Sequence, residues 1–213
     1  MIISAIFIIN HAETNVDLEG VLIMAKKINY CKDKDDAMDK YREYINIHVL
    51  NVRKAYDKAI EAFKEIFPDV YENNIYENIL LINLQQHDQS KYGPNEFWEY
   101  ANRFFPIKGT DPESDEVKKN FQIAWLHHAH TNPHHPSYWV LVDNGGVQIF
   151  DMPDIYIIEM LCDWMAMSKY YNSTTLEYWN TESARKLPMS VTTRAKVNEF
   201  MKWMQKNNVH TLW

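Results

Sequence analysis

The sequence predicts an all-α domain that carries one small β-hairpin. Apolar residues recur at the spacing of helical turns through most of the chain, whereas residues 138–150 combine strand-forming residues with a tight-turn sequence. Glycine and proline are scarce and aromatic residues are abundant, which is the composition of a folded chain with a well-filled core. A length of 213 residues suits one domain.

The longest predicted helix runs from Asp35 to Phe67, as one helix or as a pair, and Pro68 ends it. His48 lies on its apolar stripe, so we expect this imidazole to face the interior. The other members of the stripe are Met38, Tyr41, Ile45, Val49, Val52, Tyr56, Ile60 and Phe63.

The second predicted helix, Asn74 to Gln86, ends at the dipeptide His87-Asp88. Neighbouring residues inside a helix cannot share a face, but at a helix end both side chains can reach one ion. The apolar residues that we expect to pack this helix on the core are Ile75, Ile79, Ile82 and Leu84.

Two helices follow a break at Gly93-Pro94. Asn95 is expected to cap a short aromatic helix over Glu96–Phe105. After a turn at residues 111–114, a helix is predicted over Glu116–His128, and Asn132-Pro133 stops it. This helix leads into five of the nine histidines of the chain, which are His127, His128, His130, His134 and His135.

A hairpin and a strongly apolar helix come next. The hairpin covers residues 138–150, with Asn144-Gly145 expected in a type I′ turn. Pro153 opens the helix, in which Glu159 and Asp163 are four residues apart and share a face. Because a carboxylate is costly to bury without a partner, Asp163 is a candidate ligand.

The predicted domain covers residues 24–213 and closes with a helix over Val191–Gln205. Residues 1–23 begin with an apolar run but have neither the basic leader nor the cleavage site of a signal peptide. Met24-Ala-Lys-Lys is typical of a translation start, and starting there would make residues 1–23 a non-native extension. The alternative is a short strand or helix, beginning at Met1, that packs on the domain.

Composition excludes several classes of protein. The net charge is −7 without a block of basic residues, which argues against a generic nucleic-acid surface. Cys31 and Cys162 form no CxxC pair, so a zinc ribbon is excluded and no disulfide framework is supported. No apolar run approaches the length of a membrane span, and we expect a reduced, cytoplasmic protein.

The histidines and carboxylates together predict a metal site. His48, His87, Asp88 and Asp163 come from three separate helices and would leave open positions on a divalent ion such as Mn²⁺, Fe²⁺, Co²⁺, Zn²⁺ or Mg²⁺. The carboxylate of Asp88 could also bridge to a second ion bound by the histidine cluster. Glu159 is expected to support a ligand, and we expect His127 and His130 to point away from the site.

This order of residues resembles the HD superfamily of metal-dependent phosphohydrolases. The resemblance rests on an inward His48, on His87-Asp88-Gln-Ser-Lys91, which is similar to the HDxxK form of several branches, and on a late Asp163. The segments His134-His135-Pro and Glu159-Met-Leu-Cys-Asp163-Trp164 are similar to those of an HD-like group of bacterial and phage proteins. Pro136-Ser-Tyr138 stands where the HD-GYP branch has Gly-Tyr-Pro, which argues against a cyclic dinucleotide substrate.

The resemblance implies a helical-bundle domain that hydrolyses a phosphate ester, for example a nucleotide, with metal-activated water. Asp88 and Lys91 are then the predicted catalytic residues, Lys91 by neutralising charge on the phosphoryl group. One or two ions would be held by His48, His87, Asp88, His128, His134, His135 and Asp163. Two alternatives stay open, an HD-fold di-iron oxygenase and a non-catalytic protein that binds metal or nucleotide.

Overall fold

A computed structural model describes residues 30–209, and the predicted translation start at Met24 lies outside this range. The longest element, helix α1, is Lys34–Ile66, about 50 Å of continuous helix. The carboxylate of Asp33 caps it by accepting from the backbone N–H of Asp36, and Pro68 follows its end. The long helix predicted from the apolar stripe is therefore confirmed as a single helix.

The remaining elements follow in chain order. These are α2 (Pro68–Tyr71), α3 (Asn74–Gln85), a 3-10 helix (Gln89–Tyr92), α4 (Phe97–Phe104), α5 (Asp115–Thr131), a second 3-10 helix (Pro136–Trp139), β1 (Val140–Asp143), β2 (Gly146–Ile149), α6 (Asp154–Tyr171), α7 (Thr175–Trp179), α8 (Glu182–Arg185) and α9 (Val191–Lys206). The strands form one antiparallel hairpin. The predicted fold class, an all-α domain with a small hairpin, is confirmed.

Two apolar clusters pack along the inner face of α1. The smaller one joins Tyr41 and Ile45 to α4 and α5, whereas the larger one joins the stretch from Val52 onward to α2, α3, α6 and α9. His48 lies on α1 between the two clusters and is buried. The polar centre of the molecule is therefore placed where the packing changes from one set of helices to the other.

The inner face of α3 differs from the prediction. Ile75 and Ile82 are 68% and 50% exposed, and the buried apolar side chains of this helix are Leu80 and Leu84. The prediction was correct for Leu84 and wrong for Ile75 and Ile82, because the buried face follows Leu80 and Leu84, which are four residues apart. The packing of this face places His87, just after the end of α3, against Glu159 of α6.

The hairpin turn also differs from the prediction. Asp143 pairs with Gly146, so the loop has two residues as expected, but the positive φ of 100° falls on Gly146 and not on Asn144. The side chain of Asp143 accepts from the backbone N–H of Gly145 at 2.7 Å. This local hydrogen bond favours a turn of the opposite hand to type I′.

Among the helices of residues 30–209, none combines the length and the apolar content that crossing a bilayer requires.

Candidate metal centre

The imidazoles and carboxylates predicted as ligands converge between α1, α3, α5 and α6. Their potential ligand atoms form two groups, and within each group all of these atoms lie within 4.8 Å of one another. Ligand atoms about 2.1 Å from a common ion are at most about 4.2 Å apart, so this separation is close to that of a bound site. The first group is His48, His87 and Asp163, and the second is Asp88, His128, His134 and His135. A third set of this kind, His87, His134 and Glu159, takes one histidine from each of the two groups.

Asp88 lies between the two groups, and each of its carboxylate oxygens faces one of them. Oδ2 is 3.5 Å from Nε2 of His48 and 3.6 Å from Nε2 of His87. Oδ1 is 3.2 Å from Nε2 of His128 and 3.5 Å from Nε2 of His134. This is the arrangement that a carboxylate bridging two ions requires.

The backbone at Asp88 explains how adjacent residues serve one centre. After α3 ends, Asp88 adopts left-handed backbone dihedrals of 59° and 23°, and the 3-10 helix starts at the next residue. Asp and Asn tolerate this conformation better than other non-glycine residues. The reversal turns the Asp88 carboxylate toward the site that His87 already faces.

Asp163 completes the first group from α6. Its Oδ1 lies 3.1 Å from Nε2 of His48 and 3.8 Å from Nε2 of His87. Burial raises the pKa of Asp163, but the two imidazoles outweigh that effect and hold the pKa well below its usual range. The carboxylate is therefore ionised and available as a ligand at neutral pH.

Glu159 orients one imidazole of each group. Its Oε1 lies 2.9 Å from Nδ1 of His87 and 3.1 Å from Nδ1 of His134, so both rings present Nε2 to the centre. Burial raises the pKa of Glu159, but His134 and His87 outweigh it and lower the pKa to about 2. A carboxylate behind a ligating histidine fixes the tautomer and raises ligand basicity, which is the supporting role predicted for Glu159.

Glu96 has the same role for the second group, and it was not predicted. The prediction made Glu96 the first residue of a helix capped by Asn95, whereas α4 starts at Phe97 and Glu96 is fully buried. Its Oε2 lies 2.8 Å from Nδ1 of His128 and its Oε1 lies 2.7 Å from Nδ1 of His127. The amide of Asn95 approaches Nε2 of His127 at 3.1 Å.

The chemistry of these donors fits divalent ions. Nε2 of His87, His134 and His135 and Oδ1 of Asp88 are buried and have no hydrogen-bond partner among the described residues. Buried polar atoms are rarely left unsatisfied, and these four atoms belong to the two groups. Imidazole nitrogen and carboxylate oxygen are ligands for Mn²⁺, Fe²⁺, Co²⁺ and Zn²⁺, so the groups could hold a metal ion.

The charge of the centre also favours cations. Four carboxylates of the centre are buried or half-buried, and they are Asp88, Glu96, Glu159 and Asp163. Among the lysines of the described chain, Lys91 alone places its ammonium group beside them. Burial lowers the pKa of His87, but the charge on Asp88 and the neighbouring carboxylates outweigh it and raise the pKa to about 10. Without an ion, His87 therefore carries a proton, which binding of a metal must displace.

Lys91 is largely buried, and its Nζ lies 2.6 Å from Oδ2 of Asp88 and 5.5 Å from the ring centre of Tyr100. The 3-10 helix brings it to within one turn of Asp88. The cation predicted from the HDxxK spacing is therefore beside the carboxylate of Asp88.

We expect alanine variants of the five clustered histidines to differ in their metal content. His128→Ala, His134→Ala and His135→Ala should each lower the number of bound ions, because their ring nitrogens belong to the second group. His130→Ala should not, since this side chain is exposed on α5, and His127→Ala should have a smaller effect, since it contacts the centre through Glu96. Elemental analysis of each purified variant measures this, and normal metal content in His128→Ala would contradict the assignment.

Comparison with known proteins gives a family and no function. No curated protein and no solved structure matches the chain. A family model described as a family of unknown function (DUF5662) matches residues 37–203, which include every residue of both groups. Because this match covers most of the sequence, the chain belongs to the family of unknown function DUF5662.

Proposed function

We propose that this chain is a metal-dependent phosphohydrolase that cleaves a phosphate ester of a small molecule, on an arrangement of residues like that of the HD superfamily. The order along the chain supports this: an inward His48, then His87-Asp88, then Asp163 on a late helix. The proposal extends beyond a metal site, because a structural ion would need neither a second group nor a buried lysine.

The observation that carries the proposal is the position of Asp88. One of its oxygens faces His48 and His87 while the other faces His128 and His134. Two ions held about 4 Å apart stabilise both the attacking and the leaving oxygen of a phosphate ester, and a bound ion makes water nucleophilic at neutral pH.

The protein residues would hold the reacting groups in place. Lys91 supplies a positive charge beside the bridging carboxylate, where it can attract a phosphoryl oxygen. Asp163 is the most exposed member of the first group, at 15% of its side chain, so this group faces the direction from which a substrate can enter. Glu159 and Glu96 keep the ligand imidazoles oriented during turnover.

Metal analysis followed by a substrate panel tests this function. The protein should contain up to two transition-metal ions per chain and should release phosphate from nucleoside monophosphates or simple monoesters with Mn²⁺, Co²⁺ or Mg²⁺ added. Iron in the purified protein with oxygen-dependent product formation would favour the di-iron oxygenase instead. Tight retention of a nucleotide with no turnover would favour a binding protein.

We expect Lys91→Ala to keep the fold and the metal but to weaken turnover. The loss in kcat/KM should be on the order of tenfold or more, because a positioning charge acts mainly on the transition state. Steady-state kinetics and elemental analysis of the same preparation separate the two effects. An unchanged kcat/KM would remove Lys91 from the reaction, and Lys64→Ala, an exposed lysine that pairs with Glu61 on α1 away from the centre and the cavity, is the control.

A further inference from the structure

A cavity of about 310 Å³ opens beside His48, between α1 and α6. It shares His48 with the first metal group, because the His48 ring lines the cavity while its Nε2 faces Asp163 at 3.1 Å. Met167, another lining residue, lies one helical turn beyond Asp163 on α6. The cavity and the candidate metal centre are therefore adjacent along the same two helices.

The walls of the cavity are mainly aromatic and apolar. The ring of Tyr44 is parallel to that of His48, with 6.2 Å between centroids and 6° between planes. Tyr170 meets Tyr44 edge to face at 5.3 Å, and Phe105 is 6.3 Å from it. The Tyr44 hydroxyl donates to the sulfur of Met167 at 3.8 Å, which fixes the ring in position. Such walls suit a flat apolar group.

Size and charge restrict the ligand further. A volume of about 310 Å³ is at the lower end of the range of roughly 300–1,000 Å³ for small-molecule sites, so one ring system fits and a dinucleotide does not. Lys40 and Glu43 both line the cavity, and their charges cancel. Because Lys40 is also paired with Asp36 at 3.0 Å, the cavity offers no surplus positive charge for a second phosphate.

Two apolar side chains at this cavity are exposed to solvent. Ile47 and Tyr170 are 50% and 54% exposed although both line the cavity. Apolar surface next to a concave site is typical of a ligand-binding groove. A bound aromatic group would cover both side chains.

We propose that this cavity binds the organic part of the substrate and selects monophosphate esters that carry a single uncharged aromatic group, between a phenyl ring and a nucleobase in size. The inference rests on the proposed function, because it assigns the phosphate to the centre that contains His48. Tyr44, Phe105 and Met167 supply apolar contact, and the half-buried amide of Asn51 can pair with a polar ring edge.

Two esters with equally reactive leaving groups isolate the contribution of the ring. With the metal-loaded protein, kcat/KM for 2-phenylethyl phosphate should exceed that for ethyl phosphate on the order of tenfold or more, because the cavity buries the phenyl group. Both leaving groups are primary alkoxides, so the difference reports binding of the ring and not chemical reactivity. Phosphate release measures both rates.

Matched variants connect this preference to the cavity. Tyr170→Ala should reduce the ratio of the two kcat/KM values about fivefold or more, since it removes one wall. Tyr76→Ala, which removes a tyrosine of similar exposure on α3, should leave the ratio unchanged. Ile47→Ala and Ile123→Ala form a second pair with the same expectation, because only Ile47 lines the cavity.

Binding of phosphonates separates failure of this inference from failure of the proposed function. Calorimetry should show tighter binding of 3-phenylpropylphosphonate than of propylphosphonate, and Tyr170→Ala should remove the difference. Hydrolysis of both esters with equal kcat/KM would overturn the cavity assignment and leave the phosphohydrolase standing. No hydrolysis, together with a phosphonate preference that Tyr170→Ala removes, would overturn the phosphohydrolase and support the cavity. No hydrolysis and no preference would overturn both.

Discussion

Asp88→Asn should fold, bind less than the full complement of metal and lose phosphate-ester hydrolysis. The amide keeps the shape of the side chain but removes the negative charge that lies between the two groups of ligands. Two dications about 4 Å apart repel each other strongly in a partly dry site, and the bridging charge is what offsets that repulsion. We therefore expect a larger loss from Asp88→Asn than from the loss of any one histidine of the second group.

The backbone conformation makes asparagine a suitable replacement at this position. Residue 88 has a φ of 59°, in the left-handed region that Asn adopts about as readily as Asp, and Asn172 has a similar φ of 52° in this chain. The substitution therefore changes charge without straining the turn. It does leave the ammonium of Lys91 with a weaker partner, and Asp88→Asn combined with Lys91→Met removes that complication.

Circular dichroism and elemental analysis of both variants check this prediction. Each should show the helical content of the wild type and a reduced metal count, whereas Asp69→Asn, an exposed aspartate on α2, should show neither loss. A folded Asp88→Asn protein with normal metal content and normal turnover would end the interpretation of Asp88 as a bridge, and with it the phosphohydrolase proposal.

Spacing along the chain predicted much of the fold and of the site. The stripe on α1 placed His48 inside, because the eight other residues of that stripe are apolar, and the structure confirms that it is buried. The four-residue interval between Glu159 and Asp163 placed both on the inner face of α6, as observed. These features are local, so the period of a helix is enough to derive them.

Features that depend on contacts between distant residues were not predicted. A glutamate at the start of a predicted helix is typical of an exposed first turn. Only the packing of α4 against α5 brings the Glu96 carboxylate to His128 and His127. The exposure of Ile75 and Ile82 was likewise not predicted, because the buried face of α3 is the one that carries Leu80 and Leu84 into the cluster shared with α6. A signal for Glu96 existed in the adjacent imidazoles of the cluster, because ligating histidines need acceptors for their second nitrogen.

Glu159→Leu is expected to weaken metal binding at both groups at once. One carboxylate oxygen accepts from His87 of the first group and from His134 of the second. Without it, two buried N–H groups lose their acceptor, and each ring can turn or change tautomer so that its Nε2 no longer faces the centre. Loss of the carboxylate behind one ligating histidine typically lowers metal affinity about 10- to 100-fold. Glu159→Leu removes this support from one histidine of each group, so the combined loss in affinity for two ions should exceed that range.

Comparison with Glu96→Leu gives this prediction its sharpest form. Glu96 orients a ligand of the second group, so its loss should lower the affinity for one ion and leave the other bound. Competition with a chelator of known affinity should therefore show two weakened sites in Glu159→Leu, one in Glu96→Leu and none in Glu199→Leu, an exposed glutamate on α9. Equal behaviour of the Glu159 and Glu96 variants would show that the ions bind as one coupled unit, and unchanged affinity in Glu159→Leu would show that this carboxylate does not position the ligands.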